Sequence, residues 1–253
     1  MEKYILETCV DSVESALAAE RGGANRLELC ANLIIGGTTP SPCLFREVRR
    51  ACGIRIHVLL RPRFGDFCYT EHEFRILMEE VKLFRELGAD GVVIGVLRPD
   101  GTLDEERMRI LIEEAAGMSV TLHRAFDVCR DPYEALEQAK ALGVDTILTS
   151  GQADSCLAGQ KLLAELVERA GKEIDILVGS GVDAEAIRTL CPAVKASSYH
   201  MSGKITLDSS MVYRKEGVPM GLPSLSEFEI WRTSEEKIRA AAEVLKSLQV
   251  PGV

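Results

Sequence analysis

Hydrophobic positions along this chain follow two periods in turn, and the alternation predicts the architecture. Short apolar runs with a period of two recur near residues 4–10, 26–32, 54–61, 91–97, 119–127, 146–151, 174–182 and 193–199. Each is followed by helical spacing, near 11–21, 41–51, 71–87, 104–116, 131–142, 156–171, 183–190 and 233–248. The clearest helix is 71–87, where Phe74, Leu77, Met78, Val81, Phe84 and Leu87 share one face and Glu79, Glu80, Lys82 and Arg85 the other. A pattern of glycine, small residue, Asx and then apolar residues repeats at Gly23-Ala24-Asn25, Gly88-Ala89-Asp90 and Gly143-Val144-Asp145. The glycine suits the left-handed cap after a helix, and the apolar residues beyond it begin a strand.

Eight βα units in 253 residues are what a (β/α)8 or TIM barrel requires, as a single domain over residues 1–253. A doubly wound sheet is the alternative, because alternation does not by itself prove closure. Two stretches keep neither period. One is residues 61–70 after the third strand; the other is residues 201–231 before the last helix, broken by Gly217, Pro219, Gly221 and Pro223. Loops of that length in a compact fold are functional, mobile or interfacial, and 201–231 is expected to serve a dimer contact.

Strand parity turns this outline into candidate chemistry. If Leu6, Leu27 and Leu29 pack on helices, then Glu7, Cys9, Glu28 and Cys30 point into the barrel. On an assumed register Glu7 neighbours Glu28, and Cys9 neighbours Cys30. Two adjacent carboxylates do not both ionise cheaply unless a cation stands between them, and His57, Arg61, His123 and Arg124 are the cations at hand. One reading of Glu7, Glu28 and Arg61 is a buried ion-pair network that sets register. The other is an active site of Glu7, Glu28, Arg61, His123, Arg124 and Asp127 acting on a small anionic or phosphorylated metabolite. In Val120-Thr121-Leu122-His123-Arg124-Ala125-Phe126-Asp127 an apolar strand start runs into polar residues, at the end where parallel α/β folds do their work. Gly179, Ser180, Gly181, Ser197 and Ser198, read as the ends of strands seven and eight, form an anion-binding candidate. Cys9 and Cys30 are either small core hydrophobes or a soft, low-coordinate pair suited to Cu(I). His200, beyond the expected strand eight, is open between mouth and surface.

Composition narrows the partners. A net charge of -9 without a basic run argues against nucleic acid, and no apolar stretch reaches the length of a membrane span. The N-terminus reads as a first strand rather than an export signal. Eight cysteines with no CxxC pair then read as reduced thiols in a cytoplasmic protein.

With those residues in view the chain resembles the CutC copper-homeostasis family. The motifs that carry the resemblance run from Leu6-Glu7-Thr8-Cys9-Val10-Asp11 and Arg26-Leu27-Glu28-Leu29-Cys30 through Gly36-Gly37-Thr38-Thr39-Pro40-Ser41 and Arg61-Pro62-Arg63-Phe64-Gly65-Asp66. They continue through Thr121-Leu122-His123-Arg124-Ala125-Phe126-Asp127 and Leu148-Thr149-Ser150-Gly151, and thin beyond Tyr213-Arg214. The resemblance implies a cytosolic barrel, dimeric and linked to copper handling, with Cu(I) on Cys9 and Cys30. Two positions depart from the family pattern: Ala196 stands where a histidine is expected before the paired small residues of strand eight, and Phe64 replaces a glycine in the loop after strand three.

Overall fold

The computed structural model describes residues 4–215, 217, 218, 220 and 225–248; Pro219, Gly221 and Pro223, counted above among the breakers of the late segment, lie outside the described residues. Eight parallel strands close into a barrel in sequence order: β1 Ile5–Val10, β2 Arg26–Leu29, β3 Arg55–Leu59, β4 Gly91–Ile94, β5 Ser119–Leu122, β6 Thr146–Thr149, β7 Asp175–Val178 and β8 Ser198–Met201. Around them lie α1 Val13–Gly22, α2 Pro42–Ala51, α3 Glu71–Glu86, α4 Glu105–Glu114, α5 Pro132–Leu142, α6 Gln160–Ala170 and α7 Ala184–Val194. The (β/α)8 expectation therefore holds, and the open doubly wound sheet does not. The segment expected to be irregular from 201 onward instead contains an antiparallel ribbon, β9 Lys204–Asp208 with β10 Glu229–Thr233, before α8 Glu235–Leu248. Lys204 stacks its ammonium on the Trp231 ring, 3.4 Å from the centroid, which joins the two strands of the ribbon.

The glycine-Asx repeat has a physical cause. Gly23 and Gly143 cap α1 and α5 at φ of 98° and 77°, a left-handed conformation that costs a glycine little. The Asx two residues later accepts the N–H of the second residue of the preceding strand: Leu6 donates to Asn25 at 3.0 Å, Ile56 to Asp90 at 2.8 Å and Val120 to Asp145 at 2.7 Å. Each pair of strands is thus pinned at its lower edge, and register propagates from that pin.

Two expectations change. Closing a barrel requires the strands to stagger, so Glu7 pairs with Arg26, and Cys9 with Glu28, rather than Glu7 with Glu28 and Cys9 with Cys30. A shift of two residues preserves which face each side chain takes, so the inward parity survives while the neighbours change. Second, α7 runs on through Pro192 to Val194, and Lys195 caps it at φ 59°. A proline near the end of a helix forfeits one hydrogen bond without ending it earlier. Strand β8 therefore starts at Ser198, and Ser197 and Ser198 stand at the lower end of the barrel beside Arg26, Thr146 and Asp175, away from the mouth.

In the interior Glu7, fully buried, receives the Nε–H of Arg26 at 2.5 Å on one side and the Nδ1–H of His200 at 2.7 Å on the other. Burial alone would raise the Glu7 carboxyl; Arg26, His200 and His57 together outweigh it and hold the group well below the usual carboxylate range. Its folded value being depressed, the stability it contributes is present above the unfolded value and is lost as pH falls through the folded one. Glu7→Gln, which leaves Arg26 buried without its counter-charge, should lower the unfolding free energy at pH 7 by about 3–5 kcal/mol in urea titrations. A loss below about 1 kcal/mol would mean that solvent already screens the pair.

Candidate functional site

At the C-terminal end of the strands a cavity of about 560 Å³ opens, within the range of small-molecule sites. Its floor is built by β1, β2 and β8. Cys9, Glu28 and His200 each offer a ligand atom, and these atoms lie within 4.8 Å of one another. Glu28 is pushed up to about 7, first by burial and further by Glu7, with His200 and Arg26 opposing. Burial pulls the His200 imidazole down, yet Cys9, Glu28 and Glu7 more than reverse this and raise it. The floor is a proton-rich, charge-coupled group in which protons and a metal ion would compete.

The opposite wall comes from β3 and β5. Arg61 is buried, its Nη1 donating to the carbonyls of Gly36 and Gly37 at 3.3 and 3.2 Å and its Nη2 to that of Gly65 at 2.8 Å. Gly65 takes φ +100°, so this turn keeps a glycine in its left-handed place, and Phe64 simply projects into solvent. Strand β5 ends at Leu122 because the next residue caps a short 3-10 turn over Arg124–Val128: Ala125 donates its N–H to His123 Nδ1 at 3.2 Å. Arg124 and Asp127 therefore lie on a helical turn at the rim rather than on the strand. Asp127 is saturated with donors, accepting from Arg124 Nε at 2.7 Å, Thr149 Oγ1 at 2.5 Å, Ser150 N–H and Gln152 N–H. That arrangement makes it the anchor of the loop after β6.

Of the residues singled out from sequence, the structure gathers Cys9, Glu28, Arg61, His123, Arg124, Asp127, Ser180 and Gly181 around one cavity. Glu7 lies beneath the floor, sealed from it. Gly179 does not line the cavity; it leaves room for its neighbours, since a Cβ there would come within 2.6 Å of Leu148. Ser197 and Ser198 are at the opposite end. Cys30 packs with Leu59 and Val93, its thiol 3.5 Å from the Val10 carbonyl. Burial, then Glu28 and Cys9, push that thiol well above the usual range, so it stays protonated beside the metal-capable cluster rather than within it.

The sequence reading gave Arg26 no role and left His200 open between mouth and surface, and one signal bears on both. Lys195-Ala196-Ser197 is a degenerate fourth copy of the glycine-Asx repeat, with Lys195 in the left-handed position. Counting three residues from the last member of each copy gives Glu28, Val93, Leu148 and His200, one inward layer contributed by alternate strands. Counting one gives Arg26, Gly91, Thr146 and Ser198. Strand eight itself carries a histidine, His200, shortly before Ser202 and Gly203, whereas Ala196 precedes the strand.

The CutC family model matches residues 4–205. A CutC family protein of Parabacteroides distasonis is 47% identical over 243 residues, covering 94% of this chain and 99% of its own length. The human protein named copper homeostasis protein cutC homolog is 39% identical over 248 residues, covering 98% of this chain and 91% of its own. Among solved structures, the CutC protein of Streptococcus agalactiae superposes with a TM-score of 0.75 at 32% identity, over 79% of this chain and 98% of that one. Among the described residues no helix is long and apolar enough to cross a membrane.

Burial first, and then the charge of Arg61, drive the His123 imidazole down to about 3. With Nδ1 accepting a hydrogen bond, the ring should stay neutral with its proton on Nε2 throughout the neutral range. Imidazole nitrogen shifts from two-dimensional NMR should show no protonation of this ring between pH 8 and 5, around the ordinary histidine value of about 6.5. A midpoint near that value would overturn the assignment.

Proposed function

The chain belongs to the CutC family, and from that premise we propose that it is a cytoplasmic copper-handling protein that carries Cu(I) as cargo on Cys9 and His200, with Glu28 alongside. One observation carries the reading: a thiol, an imidazole and a carboxyl converge at the cavity floor, and a second carboxylate orients the imidazole from beneath. Glu7 accepts the Nδ1–H of His200, which leaves Nε2 as the ligating nitrogen, the carboxylate-histidine-metal arrangement that fixes tautomer and ring direction. A thiolate and an imidazole suit a soft, low-coordinate ion, whereas the Glu28 oxygen would favour a harder one. The pairing of Cys9 with Cys30 expected from sequence is replaced here by Cys9 with His200.

Because His200 and Glu28 are both shifted toward their protonated forms, a bound cation displaces protons, and affinity should rise with pH through neutrality. Wild-type protein challenged with a chromogenic Cu(I) chelator should retain one ion. Cys9→Ser and His200→Gln should release it, Cys30→Ser should keep it, and Glu7→Gln should weaken retention by about 10–100-fold. Retention by Cys9→Ser equal to wild type, or a preference for Zn(II) over Cu(I), would overturn the assignment.

Homodimerisation belongs to the same reading. It is supported by Met211, Val212, Tyr213, Val218 and Met220, apolar or aromatic side chains that stand exposed along the late segment. Sedimentation should give a dimer for the wild type and a monomer for Val212→Asp with Tyr213→Ser; a monomeric wild type would refute the contact.

A further inference from the structure

Of the two buried arginines among the described residues, Arg26 is paired with the Glu7 carboxylate. Arg61 is different. Its three contacts to Gly36, Gly37 and Gly65 satisfy hydrogen-bond geometry but are with neutral carbonyls, and among the described residues no carboxylate comes within ion-pair distance of it. Its Nε–H, sealed from solvent, has no acceptor among the described residues. Beside it His123 presents a second unsatisfied donor: Nδ1 is occupied by the Ala125 N–H, so the ring proton sits on Nε2, which is buried and has no partner among the described residues. The ring of Phe67 lies across both groups, 5.0 Å from the guanidinium carbon and 4.8 Å from the imidazole centroid.

We propose that Arg61 and His123 bind the oxyanion of a small organic ligand, a carboxylate or a phosphate ester, whose apolar body lies against Leu33, Ile35, Leu59, Leu148 and Val182 of the same cavity. A fixed cation beside a neutral N–H donor is complementary to an anionic oxygen and to nothing positively charged. Other buried polar atoms also lack partners, Arg26 Nη2 and His57 Nδ1 among them, but Arg61 and His123 are the pair of such residues that both line the open cavity, where a ligand can supply the acceptor that a buried donor needs. The customary anion position in such barrels, a helix N-terminus beyond strand seven, is closed here: the N-cap Asp183 places its own carboxylate on the N–H groups of Glu185 and Ala186. The N–H groups of Gly181 and Val182, which line the far wall, find no acceptor among the described residues and offer a second contact to a ligand long enough to cross. Phe67 belongs to the loop between β3 and α3, so the oxyanion reaches Arg61 and His123 by displacing one ring rather than by opening the barrel. This site shares a cavity with the Cys9 cluster but none of its residues, and it stands whether or not copper binds there.

The test uses wild-type protein and three probes: inorganic phosphate, phenyl phosphate and phenylacetate. Imidazole NMR should show the Nε2–H of His123 shifting on addition of an organic probe, which should bind at least about tenfold more tightly than inorganic phosphate, because the phenyl group adds apolar burial. Whether phenyl phosphate or phenylacetate binds more tightly distinguishes an ester from a carboxylate. Arg61→Lys keeps the charge but loses the planar fork, and should weaken the better probe by about tenfold or more; Phe67→Ala should retain binding. Because Arg61 also ties down loop carbonyls, the wild-type titration stands on its own: no His123 shift with any probe overturns the proposal, as does equal binding by a folded Arg61→Lys variant.

Discussion

The ionised carboxylate of Glu7, enclosed between Arg26 and His200, is the contact on which the rest of the molecule depends. It lies at the seam where β1 meets both β2 and β8, so it joins the first strands to the last. A buried charge of this kind is a weak source of net stability and a strong source of specificity, because any other register strands Arg26 without a counter-charge. The same carboxylate holds the ring of His200 in the orientation that presents its other nitrogen to Cys9 and Glu28. Closure of the barrel and preparation of the floor are one event.

Much of this was legible in the amino-acid order, and the limits are instructive. Period-two runs alternating with helical spacing gave the eight units, with glycines marking the ends of three helices, and parity alone turned Glu7, Cys9 and Glu28 inward. Neighbour relations were not legible, because the stagger of a closed barrel leaves parity untouched while moving each partner by two places. Arg26 was invisible for the same reason: at a strand start it looks like a solvent-facing residue, and only the register sets it against Glu7. His200 was obscured because the strand was expected from 193 to 199, while the helix in fact runs through Pro192 to Val194 and moves β8 to Ser198–Met201. Arg124 and Asp127 were placed at the correct mouth but in the wrong conformation, since a cap made by a side chain, His123 to Ala125, leaves no periodic trace.

The cavity is divided by chemistry. On the β1, β2 and β8 side, protonatable groups crowd together and repel a simple anion unless a cation joins them. On the β3 and β5 side, a charged guanidinium and a neutral imidazole hold unspent donors. Apolar side chains, Leu33, Leu59 and Leu148 among them, complete the lining. A site so polarised orients whatever enters it, and the Asp127 anchor, with four donors converging on one carboxylate, keeps the rim between the two sides from drifting.

The Asx pins at Asn25, Asp90 and Asp145 have a consequence for how the chain reaches this state. Each is formed within one pair of βα units, across 19, 34 and 25 residues respectively. Closing loops that short costs little chain entropy compared with bringing the two ends of the molecule together. Quarters of the barrel therefore close through short loops, whereas the β1–β8 pairing that completes the ring joins residues nearly two hundred apart in the chain, the costliest closure in the fold.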